Sequence, residues 1–108
     1  MKLEELRNWI KEITDIDVLR IKGRKRHNIR VKVAFIYIAT RMYGFTLEEI
    51  AAFLKYRDHT SIIYHRNQHE SWMRSDVLYY DIHKALTKKI SDSPDPNLVE
   101  VLTLINNI

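Results

Sequence analysis

The stretch Tyr56-Arg57-Asp58-His59-Thr60-Ser61 gathers side chains suited to holding phosphates and reading base edges. Asp58 is a good N-cap, because its carboxylate accepts hydrogen bonds from the first N–H groups of a helix. His59, Thr60 and Ser61 then project from that helix's N-terminal turn, where the partial charge is positive. Hydrogen-bonding side chains at a helix start, next to a basic residue such as Arg57 or Lys55, suit contact with phosphates and base edges. The stretch is expected to be the recognition end of a helix-turn-helix.

The charge distribution supplies a second part. Arg20, Lys22, Arg24, Lys25, Arg26, Arg30 and Lys32 are 7 of the 18 basic residues, and no acid lies among them. The net charge is +4, and without this stretch the acids outnumber the bases. Such a concentration is the electrostatic footprint expected for a polyanion, set against the plain reading of a solvated loop. Gly23 inside it lets the backbone follow a nucleic acid closely.

Other chemistry is poorly served. His65 and His69, four residues apart, would share a helix face, but no Glu follows His65 and no Cys or third ligand is near in sequence. They are read as surface polar residues, with no metal and no cofactor expected, and Tyr64, His65 and Arg66 as candidates for added backbone contacts. Ser61 and His59 would be badly aimed for nucleophile activation, so the chain is not expected to be an enzyme.

Six helices are expected to position these groups. Leu3, Leu6, Ile10 and Ile13 set one stripe of a helix over residues 2–14, widened by Trp9. A turn at 15–19 follows, pinned by Ile16, Val18 and Leu19. A helix from about Ile29 to Tyr43 is apolar on most sides, hence central, and Gly44 ends it as a C′ residue would. Thr46 and Glu49 form a capping box for a helix to Lys55. After the turn at 55–57 comes a helix from Asp58 to about Arg74, with Trp72 capping the core. The next spans Val77 to Ile90, with Leu78, Ile82, Ala85, Leu86 and Lys89 on one side. Ser91–Pro96 reads as a linker. Leu98, Val101, Leu102, Ile105 and Ile108 mark a last helix, which either folds back over the domain or serves association, as a homodimer through residues 98–108 or by docking to a replication or regulatory partner. The division is thus 1–90 for the domain and 91–108 for linker and tail helix.

Composition agrees with a small globular fold: 45% hydrophobic, 30% charged, and only two Gly and two Pro. Zero Cys fits a reducing compartment. No apolar run approaches the roughly 20 residues of a membrane span, and the N-terminus lacks the apolar core of a signal peptide. A soluble cytoplasmic protein is expected, without membrane contact.

Arg57-Asp58-His59-Thr60-Ser61 resembles the Arg-Asp-His-Thr-Thr signature of the C-terminal DNA-binding domain (domain IV) of the bacterial chromosomal replication initiator DnaA. Lys22-Gly23-Arg24, the helix around Ala34 to Met42 and Thr46-Leu47-Glu48-Glu49-Ile50 fall where that domain has counterparts, so the likeness covers roughly residues 3–74. It implies an all-α, small helical bundle with a helix-turn-helix, Trp-repressor-like, that binds double-stranded DNA at a short box. It further implies that Asp58, His59 and Thr60 face the major groove, that Ser61 stands for a family Thr touching base or backbone, that Arg24 enters the minor groove, and that Arg57 and Lys32 lie near phosphates. A bacterial or phage origin goes with it. Lys55-Tyr56 replaces two glycines of the family, and Val31 and Val33 also depart from it. The initiator's phosphate loop has no counterpart here, since Gly23 and Gly44 are the only glycines. The resemblance is therefore to a stand-alone or excised replication-initiator-type domain without ATPase.

The expected function is sequence-specific double-stranded DNA binding, resembling DnaA-box recognition at a replication origin. Arg24, Lys25, Arg26, Arg30, Lys32, Lys55, Arg57, Asp58, His59, Thr60 and Ser61 form the expected interface. The rival is a protein-interaction adaptor whose basic loop binds an acidic partner and whose tail helix dimerises.

Overall fold

The computed structural model describes residues 3–23, 25–57 and 59–92. Arg24, Asp58, the prolines of the expected linker and the tail helix with its association surface at 98–108 lie outside them. The described residues form five α-helices: α1 (Leu3–Thr14), α2 (Arg26–Arg41), α3 (Leu47–Leu54), α4 (Thr60–Ser75) and α5 (Val77–Ser91). A 3-10 turn at Val18–Arg20 links α1 to α2. The chain is the expected all-α small bundle, with no strand among the described residues.

Local chemistry accounts for most boundaries. α1 buries Leu6 and Ile10, and Asp15, at φ 60°, ends it. Asp17 caps the 3-10 turn through the Leu19 N–H and takes the Arg7 guanidinium at 2.5 and 2.7 Å. That hydrogen-bonded pairing with Arg7 outweighs burial and holds the Asp17 carboxyl down at about 2. Gly44, at φ 71°, makes the reversal after α2, and the Phe45 N–H reaches the Ala39 carbonyl at 3.0 Å. At α3 both hydrogen bonds of the capping box are made, Glu49 N–H to Thr46 Oγ1 at 3.1 Å and Thr46 N–H to Glu49 Oε1 at 3.2 Å.

α2 is the central helix. Val31, Val33, Ala34, Phe35, Ile36, Ile38 and Ala39 are all buried, and α1, α3, α4 and α5 pack around it. Apolar neighbours on every side settle as helix a segment whose Val and Ile content also suits a strand. α2 starts at Arg26, three residues before the expected Ile29. The added turn is held from outside: the Arg26 guanidinium lies 4.2 Å from the centre of the Trp72 ring and donates to Asp76 at 3.2 Å. Arg26, expected in the basic loop before the helix, therefore belongs to α2, which carries Arg30 and Lys32 as expected.

The reading of His65 and His69 as surface residues is overturned. Both are buried, within the α4 stripe Ile62, His65, His69 and Trp72. Tyr37 stacks on His69 with ring centres 3.4 Å apart, the Tyr79 hydroxyl meets His69 Nδ1 at 2.6 Å, and the His83 ring lies 4.7 Å away. Burial pushes His69 down to about 4, aided by the nearby His83, and burial alone brings His83 to about 4. For His65 the shift is also downward, from burial and then Lys32. At neutral pH these rings are uncharged aromatic packing. Among the described residues no group of three or more His, Asp or Glu is arranged to hold a metal ion, and no helix is long and apolar enough to cross a membrane.

The face of α5 also differs from expectation. Tyr79, Ile82, Leu86 and Ile90 are its buried side, while Leu78 is 54% exposed and Ala85 faces solvent. Lys89 pairs with Glu12 of α1. Phase is set by the start of the helix. Asp76 caps α5 by accepting the Tyr79 N–H at 3.0 Å, and it also takes the Arg30 guanidinium at 2.9 Å.

Candidate nucleic-acid interface

α3 and α4, joined by residues 55–59, form the helix-turn-helix pair. The turn depends on Lys55. Its backbone lies in the left-handed region at φ 62°, ψ 36°. The Tyr56 N–H bonds to the Ala51 carbonyl at 2.9 Å, and the Lys55 N–H to the Ala52 carbonyl at 3.3 Å. This is a Schellman ending, in which glycine is the favoured residue at the left-handed position. A lysine thus adopts there a backbone shape that glycine would take without strain. Tyr56 turns inward, packs on the core, and has the Lys32 ammonium 5.6 Å from its ring centre.

α4 begins at Thr60, with His59 at its cap position. The His59 carbonyl accepts the Ile63 N–H at 2.9 Å, while its side chain makes no capping hydrogen bond. Its Nε2 stands 3.8 Å from Glu48 Oε1, across the pair of helices. Thr60 and Ser61 are exposed in the first turn, which holds no acidic residue.

One open groove of about 600 Å³ brings the two halves of the expected site together. Gly23 of the basic segment and Lys32 of α2 form one side, and Thr60, Ser61 and Tyr64 of α4 the other, with Tyr56 also in its wall. Tyr64 is 60% exposed, so a phenol ring is presented to whatever lies along α4. Its sequence signal is its place one turn after Thr60 and Ser61 on the same helix face.

The remaining basic residues divide. Lys25, at the cap position of α2, is exposed, as are Lys55 and Arg57. Arg26 and Arg30 are instead drawn toward Asp76 at the junction of α4 and α5, away from the first turn of α4. The Arg30 side chain is only 15% exposed, so its charge serves the bundle. Asp76 is the residue that sequence reasoning missed. Its only local sign is the Asp-Val-Leu-Tyr start of a helix, which says nothing about arginines 46 and 50 positions away.

Comparison with models of protein families, with curated proteins and with solved structures finds no match to this chain.

Proposed function

We propose that this chain binds double-stranded DNA at selected sequences, in the manner of the DnaA box-reading domain that it resembles, and without nucleotide-hydrolysing machinery of its own. The observation that carries the reading is the groove shared by Gly23, Lys32, Thr60 and Ser61. It sets the backbone of a basic segment beside the exposed first turn of the second helix of a helix-turn-helix, where a recognition helix meets base edges. Lys25, Lys32, Lys55 and Arg57 fix the register on phosphates and make binding salt-dependent. His59 and Thr60 supply hydrogen-bonding groups for the major groove, and Arg24 is the minor-groove residue that the resemblance implies.

The test is selection from a random duplex library, followed by affinity measurements on the enriched site. The expected result is an enriched motif. His59→Ala or Thr60→Ala relaxes preference by about 1–3 kcal/mol per lost base contact. Lys32→Ala weakens all duplexes alike and flattens the salt dependence. An unchanged preference after both His59→Ala and Thr60→Ala refutes the recognition assignment. No duplex binding at physiological salt refutes the function and favours a protein-interaction adaptor.

A further inference from the structure

A second cleft, of about 540 Å³, is lined by Tyr37, Arg41, Arg66, Asn67 and Glu70. It lies on the other flank of α4. At 3.6 residues per turn, Ser61 and Tyr64 lie on one side of the buried stripe of α4, and Arg66 and Glu70 on the other. Arg41 reaches the cleft from the last turn of α2 and is exposed. Its wall is stiff, because the Tyr37 ring is stacked on the buried His69.

The charges of this cleft are unspent. Arg7, Arg26 and Arg30 each have a carboxylate partner, whereas neither Arg41 nor Arg66 forms an ion pair among the described residues. Arg66 Nε is shielded from solvent with no hydrogen-bond partner there. An N–H buried without an acceptor is costly, and a guanidinium fork matches the oxygens of a phosphate. Asn67 adds an amide donor. Glu70 opposes an anion, but two guanidiniums against one carboxylate leave the cleft positive.

We propose that Arg41 and Arg66 form a second oxyanion site, which takes a backbone phosphate of the bound duplex. This rests on the duplex-binding reading above. A helix lying in a major groove has a sugar-phosphate strand along each flank. Lys32 and the basic segment serve one strand, and the Arg41–Arg66 cleft serves the other.

The test is the salt dependence of affinity of the full chain for its selected duplex. Arg41→Gln and Arg66→Gln should each reduce the log–log salt slope by about 1 and leave the sequence preference intact. Glu70→Gln should tighten binding to every duplex. Arg41 is exposed, so its variant keeps the fold even if Arg66→Gln does not. An unchanged slope in Arg41→Gln, with no gain in Glu70→Gln, overturns the proposal. If the parent chain binds no duplex, the duplex reading fails separately, and inorganic phosphate then judges the site. A saturable shift of the Arg66 Nε–H resonance that vanishes in Arg41→Gln supports an oxyanion site, and no shift overturns it.

Discussion

Replacing Asp76 should expose how much of this bundle hangs on one carboxylate. Its side chain is 5% exposed and it serves three donors at once: the Tyr79 N–H at the start of α5, Arg30 and Arg26. Asp76→Asn keeps an oxygen for the cap and removes the charge. Breaking a buried pair costs roughly 3–5 kcal/mol, and an exposed pair about 0–1 kcal/mol. Arg30 is 15% exposed and can partly recover water, and Arg26 is 56% exposed. A loss of about 2 kcal/mol for Asp76→Asn is therefore expected. Asp76→Ala also removes the cap and should lose about 1 kcal/mol more. Urea unfolding at pH 7 followed by circular dichroism measures both. Arg30→Met should be much less harmful in the Asp76→Asn background than alone, because the buried carboxylate it would leave unpaired is gone. The pH dependence gives an internal check. Burial alone raises the Asp76 carboxyl, but the Tyr79 N–H, Arg30 and Arg26 outweigh it and hold it below its usual range. A lowered folded-state value means stability that is present above the unfolded value of about 4 and is lost as pH falls through the folded one. The gap between parent and Asp76→Asn should stay level from neutral pH to about 5 and narrow below about 4. An Asn variant within about 0.5 kcal/mol of the parent at pH 7 would refute the reasoning, as would an Ala variant no weaker than Asn.

Acid should also act through the aromatic core. His69 is buried and held at about 4, so it stays neutral in the fold while the unfolded ring takes a proton near its ordinary 6.5. Its contribution is whole above about 6.5, shrinks as pH falls, and at pH 5 has dropped by roughly 2 kcal/mol. Urea midpoints of the parent should therefore fall between pH 7 and 5, and a flat profile there would contradict the buried neutral state. Lys55→Gly should stabilise the chain by about 0.5–1 kcal/mol, since glycine tolerates the left-handed backbone at φ 62°. A lower thermal midpoint for that variant would show that the lysine side chain supports the turn.

The sequence alone determined what is local. The α1 stripe, the Thr46–Glu49 capping box and the reversal at Gly44 rest on contacts a few residues apart, and each stands where its residues predict. The candidate groove was legible in part: Thr60, Ser61 and Lys32 were singled out by type and spacing, and the fold brings them to one surface. Tertiary structure alone decided where polar residues near a helix's apolar edge point. His65 and His69 look like surface groups until the stripe Ile62-His65-His69-Trp72 meets Tyr37 and Tyr79 on two other helices. Arg30 looks like one of many phosphate ligands until Asp76, 46 residues later, claims it. Leu78 and Tyr79 are neighbours with equal claim to the core, and the cap at Asp76 sets which of them turns inward. Periodicity states that a helix has an inner face. A histidine, arginine or tyrosine is stable on that face only with a particular stacking, hydrogen-bonding or ionic partner, and such partners come from distant parts of the chain.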